Sequence, residues 1–314
     1  MIVYTNSFGR LGNQLWTHAH LLALAIDRNV AFLSTTLRAH DGWNGKSDAP
    51  IRQSERSLRV RPTSWASNTA ALAYRANLRL RFAPIVGLMD GELLDIEEDT
   101  AFGEMAQREA LVFVSGLFLM APRTLERHAD AVKALLMPDI SVSSGVKVRM
   151  AAHRARARNH VAVHLRRGDY RTFCDGLMFY NDDEYTTAMR AISAQLTGAT
   201  LFHLFSDELV DASQFAPLDV EVWNGSAASD LHAMSCCDLI LGPNSSYSQW
   251  ASFAATRPLH VLNWRAEERY RVGPAIREPD VTQDFKVFAP AGFGRFATHS
   301  VELATVIARH GRWN

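Results

Sequence analysis

From residue 159 to residue 262, short apolar runs recur at the spacing of strand–helix–strand units, and this alternation constrains the fold more than any other feature. Val161-Ala162-Val163-His164-Leu165, Thr200 to Phe205, Val220 to Trp223, Asp238 to Leu241 and Leu259 to Leu262 read as strands. Between them, Asn181 to Leu196, Ser229-Asp230 through Ser235, and Gln249 to Ala255 read as helices, with Asn181 or Asp182 as a cap. Strands alternating with helices imply an α/β fold with parallel order.

The first half repeats the theme less regularly. Ile2-Val3-Tyr4 is a strand, and the turn Ser7-Phe8-Gly9-Arg10-Leu11-Gly12-Asn13 leads into a helix from Gln14 to Arg28, where Leu15, Ala19, Leu22 and Ile26 keep helical spacing. Gly9 and Gly12 permit close backbone approach, and Asn13 is available as an N-cap. Val30 to Leu33 and Ala110 to Val114 read as further strands, and Thr124 to Leu136 as a helix halted by Pro138. Residues 38–110 carry no clear period. Residues 139–158 read as a connection containing an Arg-rich helix, and 299–310 as a terminal helix. At 314 residues the chain suggests two domains. The boundaries expected are 1–150 and 151–314, the terminal helix packing back on the first.

Lys plus Arg balance Asp plus Glu, 33 against 33, so no net positive field argues for nucleic acid. The basic side is uneven: arginines cluster at 52–61, 75–81 and 149–171. These clusters are solvated helix faces, or a few of them serve an anionic ligand. No run approaches a membrane span and Met1 leads straight into a strand, so a cytoplasmic location is expected. Cys174, Cys236 and Cys237 form neither a disulfide framework nor a metal-ligand spacing, and are expected to be reduced and mostly buried. The twelve histidines include no HExxH or other zinc signature, so no required metal is expected, and no cofactor is expected besides.

In an open α/β sheet, ligands bind at the carboxyl ends of the strands. The strand at 161–165 ends in Arg166-Arg167-Gly168-Asp169. A guanidinium presents a planar fork of donors to phosphate or carboxylate oxygens. Gly168 allows a sharp turn, and Asp169 can pin one arginine so that the other stays aimed; alternatively, the segment is a surface turn carrying an ion pair. The strand ending at Leu241 opens onto Asn244-Ser245-Ser246, either a phosphate cradle at a helix N-terminus or an ordinary serine cap. Asp230 either accepts from the N1 and N2 hydrogens of a guanine or caps its helix. Taken together, two arginines, a serine turn and an acceptor carboxylate fit a nucleoside diphosphate. No GxxxxGKS/T loop is present, which argues against ATP hydrolysis of that kind.

Residues 9–25, GRLGNQLWTHAHLLALA, resemble the N-terminal signature of the α-1,2-fucosyltransferases, glycosyltransferase family 11. VAVHLRRGDY at 161–170 is similar to that family's donor-binding segment, and SDLHAMSCCDLILGPNSSYSQWASFAA at 229–255 to its third block. The resemblance implies a GT-B-like architecture, two Rossmann-like domains facing a central cleft, with the acceptor on the N-terminal side and the GDP-sugar on the C-terminal side. It implies GDP-β-L-fucose as donor, inversion at the anomeric carbon, no catalytic metal, and a galactose-containing glycan as acceptor. Arg166 then neutralises the donor pyrophosphate, with His164 and Arg167 beside it. Asp230 holds guanine, Ser245 and Ser246 contact phosphate with Asn244 in the same turn, and Asn13 points into the cleft. Asp169 is a base or an orienter; Asp207, Glu208 and His18 are other candidate bases. Gly116-Leu117-Phe118-Leu119-Met120 and Gln249-Trp250 depart from the family pattern on the acceptor side. Fucosyltransferases of α-1,6 or O-linkage, and a GDP-sugar-binding protein without turnover, are the alternatives.

Overall fold

The structure, a computed structural model, describes residues 1–5, 9–37, 51–53, 56–59, 64–98, 100–262, 286–287 and 299–300. Backbone contacts divide the chain into Met1–Asp139 with Ala289–Asn314, and Ile140–Phe288.

In the first unit, β1 (Ile2–Tyr4), α1 (Leu11–Asp27), β2 (Phe32–Ser34), β3 (Ile51–Gln53), β4 (Arg56–Arg59), α2 (Ser64–Leu80) and β5 (Ile85–Gly87) come first. They are followed by β6 (Glu92–Asp95), α3 (Thr100–Arg108), β7 (Val112–Ser115), β8 (Leu119–Met120), α4 (Pro122–Arg127) and α5 (Ala129–Leu135). The main sheet has the order β3-β4-β2-β1-β7-β5, and β1, the first strand in the chain, pairs in parallel with β2 and β7. α1 is buried on nearly every side, from Leu11 to Ala25, as a helix of this apolar composition requires.

The second unit contains α6 (Ile140–Arg154), β9 (Asn159–Leu165), α7 (Asp182–Ser193), β10 (Thr200–Ser206), β11 (Val220–Trp223), α8 (Ala227–Ser235), β12 (Leu239–Pro243), α9 (Ser246–Ala255), β13 (Pro258–Leu262) and β14 (Lys286–Val287). Its sheet runs β11-β10-β9-β12-β13-β14, parallel up to the antiparallel edge strand β14. Six of the seven residues of β9 are buried, because it lies mid-sheet with helices on both faces. Val161, Val163 and Leu165 point to a core with Tyr185, Met189, Phe202 and Leu204. Full burial of each such side chain is worth roughly 1.5–3 kcal/mol. The Tyr185 hydroxyl escapes an unsatisfied burial by donating to the His164 carbonyl at 2.9 Å.

The alternate positions face a polar chain inside the protein. Trp223 Nε1 can only donate, and it donates to His203 Nδ1 at 3.0 Å. His203 therefore carries its proton on Nε2 and donates to His160 Nδ1 at 2.9 Å, and His160 Nε2 donates to the Ala157 carbonyl at 3.1 Å. Each ring must be neutral for this chain to close. Burial, reinforced by the neighbouring histidines and arginines, accordingly pushes His203 down to about 3.

Several expectations are corrected. α1 begins at Leu11 with Arg10 at its N-cap and no side-chain cap bond, so Asn13 lies inside the first turn; Gln14 Nε2 donates to the preceding Gly9 carbonyl at 3.1 Å. Residues 124–136 form two helices that meet at His128. The terminal helix expected from 299 begins as a strand: β15 (His299–Ser300) pairs in parallel with β6, and 301–310 lie outside the described residues. Cys174 is exposed, not buried; all three cysteines are free. At Asn181, the expected cap is present as a full capping box with Glu184. No helix among the described residues is long and apolar enough to cross a membrane.

Candidate functional site

Counted from β9, the second sheet runs 3-2-1-4-5 before its antiparallel edge. The chain leaves β9 towards β10 and β11, then returns to the other side of β9 as β12. That reversal is a topological switch point, where the carboxyl ends of neighbouring strands splay their following loops apart and a ligand can enter. The segments that follow β9, β11 and β12 carry Arg166, Asp230 in the first turn of α8, and Asn244-Ser245-Ser246 at the start of α9, and parallel pairing puts all of them on one edge of the sheet.

Arg166 is 12% exposed in its side chain and held from two sides. Nη2 lies 2.6 Å from Asp169 Oδ1 and Nη1 lies 2.9 Å from Asp207 Oδ2. The guanidinium also lies over the Tyr170 ring, 5.3 Å from its centroid, and the Tyr170 hydroxyl donates to the Asn244 carbonyl at 3.0 Å. β9 and β12 are thus tied at their exits by Arg166, Tyr170 and Asn244. Asp207 Oδ1 also accepts the Arg167 backbone N–H at 3.0 Å. Burial opposes ionisation of Asp207, but that N–H and the Arg166 cation outweigh it and hold its carboxyl below the ordinary value.

Both arginines are pinned, not one. Arg167 forms an ion pair with Asp182 in the first turn of α7. Gly168 opens the turn expected there, a 3-10 segment over Gly168–Arg171, without a left-handed backbone, and a Cβ there would stand 2.6 Å from Asp207 Oδ2. Glycine is required so that the carboxylate can reach Arg166.

The capping alternative for Asp230 is removed by its neighbours. Ser226 caps α8, accepting from the Ser229 N–H at 3.3 Å, so Asp230 is not the cap. The residue is 7% exposed, and Oδ1 accepts from the Gly225 N–H at 3.1 Å and the Ser229 hydroxyl at 3.5 Å. Both contacts among the described residues are to Oδ1, which leaves Oδ2 open. Burial raises its pKa to about 6, against the lowering effect of Gly225, Ser229 and Arg149. A buried carboxylate with one uncommitted oxygen suits a ligand that brings its own N–H donors. Gly225 permits the approach, since a Cβ would stand 2.5 Å from Asp230 Oδ1.

At the β12 exit, Ser245 is buried and caps α9, accepting from the Tyr247 N–H at 3.3 Å. Its hydroxyl proton is still available to a ligand. Ser246 follows as the first residue of α9, at the positive end of the helix dipole. Gln249 Nε2 donates to Asn244 Oδ1 at 2.6 Å and fixes the amide of that turn. Tyr247 joins the parts: its hydroxyl donates to the Ala227 carbonyl in the first turn of α8, and its ring lies 5.2 Å from that of His164. His164 is buried and neutral; burial, then the Arg166 cation, push its pKa to about 3. Among the described residues its Nδ1 has no partner.

Arg166, Asp169, Asp230, Asn244, Ser245, Ser246 and His164 therefore share one sheet edge, with Arg167 turned to α7. Asn13 belongs to the first unit, where its carbonyl accepts from the Thr17 hydroxyl at 3.2 Å. Among the other carboxylates considered, Glu208 pairs with Arg171 at 2.6 Å. His18 is wholly buried, with Nδ1 2.6 Å from the Gln14 carbonyl and Nε2 2.5 Å from Ser34 Oγ, so no ring nitrogen is left for an acceptor hydroxyl. Sequence reasoning missed Tyr170, Tyr247 and Gly225. The aromatic residue after each polar turn was a signal for the first two, whereas only packing marks the glycine.

Residues 123–273 match the family model described as glycosyl transferase family 11. No curated protein sequence matches the chain. Among solved structures, a mutant of FUT1 from Arabidopsis thaliana in complex with GDP is similar with a TM-score of 0.50 at 12% identity, covering 83% of this chain and 70% of that one. NodZ alpha-1,6-fucosyltransferase, soaked with GDP-fucose, is similar with a TM-score of 0.50 at 11% identity, covering 82% and 93%. At these identities the likeness is one of fold, α/β with parallel sheets.

Proposed function

With residues 123–273 a glycosyl transferase family 11 sequence, we propose that the protein is an inverting fucosyltransferase moving L-fucose from GDP-β-L-fucose to a glycan hydroxyl. We take that hydroxyl to be the 2-OH of a galactose, giving an α-1,2 linkage. The observation that carries the reading is the pairing, on one sheet edge, of Arg166 with the buried, half-committed carboxylate of Asp230. A guanine can donate N1–H and N2–H to Asp230, and the pyrophosphate can lie against Arg166 and the start of α9. Fold likeness to the FUT1 and NodZ structures is compatible with it. The GT-B arrangement expected from the sequence is part of the same reading.

In the reaction, the bond between the fucose anomeric carbon and the β-phosphate oxygen breaks, and its electron pair leaves with GDP. Arg166 stabilises that growing charge with guanidinium N–H donors beyond the two that hold Asp169 and Asp207. A new bond forms from the acceptor oxygen on the opposite face of the sugar, and the acceptor proton leaves to a base or to water. Asp169 is assigned as an orienter of Arg166, a role its 2.6 Å ion pair supports. An oxocarbenium-like transition state lowers the demand on the base, and no metal is required.

Gly168→Ala tests the orientation directly. The added methyl displaces Asp207, the end of a flexible side chain, so thermal unfolding should shift little. Arg166 loses one of its two supports, and kcat should fall about tenfold to a hundredfold. Unchanged kcat in the folded variant would remove Asp207 from the argument.

The function itself is tested by thermal shift against GDP, GDP-fucose, GDP-mannose, UDP-galactose and ATP, then by turnover with an acceptor panel. Selective stabilisation by GDP and GDP-fucose, with transfer to a galactose 2-OH, is expected. Transfer with α-1,6 or O-linkage would correct the linkage. GDP binding without any turnover would make the protein a GDP-sugar binder, and stabilisation by UDP-galactose or ATP alone would overturn the donor.

A further inference from the structure

One arginine-rich stretch plays no part in the site above. Between residues 51 and 89 the sequence has seven arginines, at 52, 56, 59, 61, 75, 79 and 81, and one acidic residue, Glu55. In a chain with equal numbers of acidic and basic side chains this is a strong local segregation of charge. α2 lies in this stretch and has no acidic residue at all.

The helix is anchored by one side. Ala70, Ala73 and Tyr74 pack on Val3, Leu33, Ala83, Ile85 and Phe113. Asn77, fully buried, exchanges two hydrogen bonds with the Ala83 backbone, at 2.9 and 2.8 Å, and locks the helix C-terminus. The opposite side is left outward with an unusual composition: Trp65 is 77% exposed, Leu72 66% and Leu80 68%, and Arg75 and Arg79 are exposed among them. Trp65, Leu72 and Arg79 are seven residues apart, and so fall within a narrow sector of the helix. None of the ion pairs among the described residues involves Arg75 or Arg79.

We propose that the outward face of α2 docks on an anionic phospholipid bilayer, lying in the plane of the headgroups. A 17-residue helix offers about 25 Å of straight contact, which a plane can meet along its whole length. Trp65, Leu72 and Leu80 enter the boundary between headgroups and acyl chains, while the arginines pair with lipid phosphates. Tryptophan is favoured at that depth. A nucleic acid would use the arginines but leave the aliphatic side chains without a partner. A second copy would set arginine against arginine, with no carboxylate on the helix to relieve the repulsion.

The experiment sediments the full chain with phosphatidylcholine vesicles made with and without phosphatidylglycerol. Binding to the phosphatidylglycerol vesicles alone, weakened by added salt, is expected. Arg75→Glu with Arg79→Glu, and separately Trp65→Ser with Leu72→Ser, should each reduce it by roughly tenfold or more. Thermal unfolding and GDP binding report that each variant is folded, and neither depends on the bilayer. Equal binding to both vesicle types, no binding, or binding retained by either variant would overturn the proposal. So would a dimer in sedimentation velocity that Trp65→Ser dissolves, since that assigns the face to another copy of the chain.

Discussion

Arg166→Ala should lower kcat about a hundredfold to a thousandfold, the effect of removing one preorganised donor from a developing oxyanion. The substitution leaves Asp169 and Asp207 without the cation that both hold at 2.6 and 2.9 Å. Their side chains are 45% and 22% exposed, so water can solvate the uncovered charges and the fold should survive. Asp207 also retains the Arg167 N–H. Arg166→Lys separates charge from geometry. Lysine keeps the positive charge but cannot span two carboxylates and a phosphate with one planar fork, so its kcat should lie between alanine and the natural residue. Steady-state kinetics with GDP-fucose, alongside thermal unfolding, decides the matter: near-normal turnover in a folded Arg166→Ala protein ends the assigned role.

Asp230→Asn should weaken GDP binding about tenfold to a hundredfold, because a charged acceptor for two guanine donors becomes a neutral one. The pH dependence follows from the raised pKa. Above about 6 the carboxylate predominates and can accept from guanine; below it, the proton competes, and GDP affinity should fall by up to about tenfold per pH unit. Calorimetry across this range on both proteins isolates the effect, since the phosphate's own titration is common to the two. A parallel fall in both would return Asp230 to a structural role. Stability runs the other way. With a folded pKa above the ordinary 3.8, the Asp230 contribution is fully present below 3.8 and is lost as pH rises through about 6. Ligand-free Asp230→Asn should therefore be no less stable than the natural protein at neutral pH. Loss of GDP affinity with retained stability is the signature expected of a residue kept for its ligand.

The elements of the fold are unequally legible in the sequence. β9 and β12 could be read because each carries an apolar run, Val161-Ala162-Val163 and Leu239-Ile240-Leu241, and burial on both faces leaves that imprint on a mid-sheet strand. The polar residues at their exits were visible for the same reason, as an abrupt end to an apolar run. The helix cap at Asn181 was equally local: it needs only Glu184, three residues on. By contrast, β15 is two residues long and owes its existence to β6, some two hundred positions away in the chain, so no local pattern announces it. α1 begins before Asn13 because Leu11 is needed in the core, a demand that overrides the capping preference of asparagine.

The α/β class, the parallel order of the second half and the set of polar residues at its strand exits are all written in the chain's local pattern. These depend on hydrophobic period and on backbone chemistry within a few residues. Which groups those polar residues touch depends on the tertiary structure. Asp207 reaches Arg166 past Gly168, Ser226 takes the capping role and frees Asp230, and Tyr170 and Tyr247 bridge loops that are distant in the chain. Each of these is a contact between separate segments. Its energy depends on distances of a few ångströms that the packing of the sheet sets and that no single segment encodes.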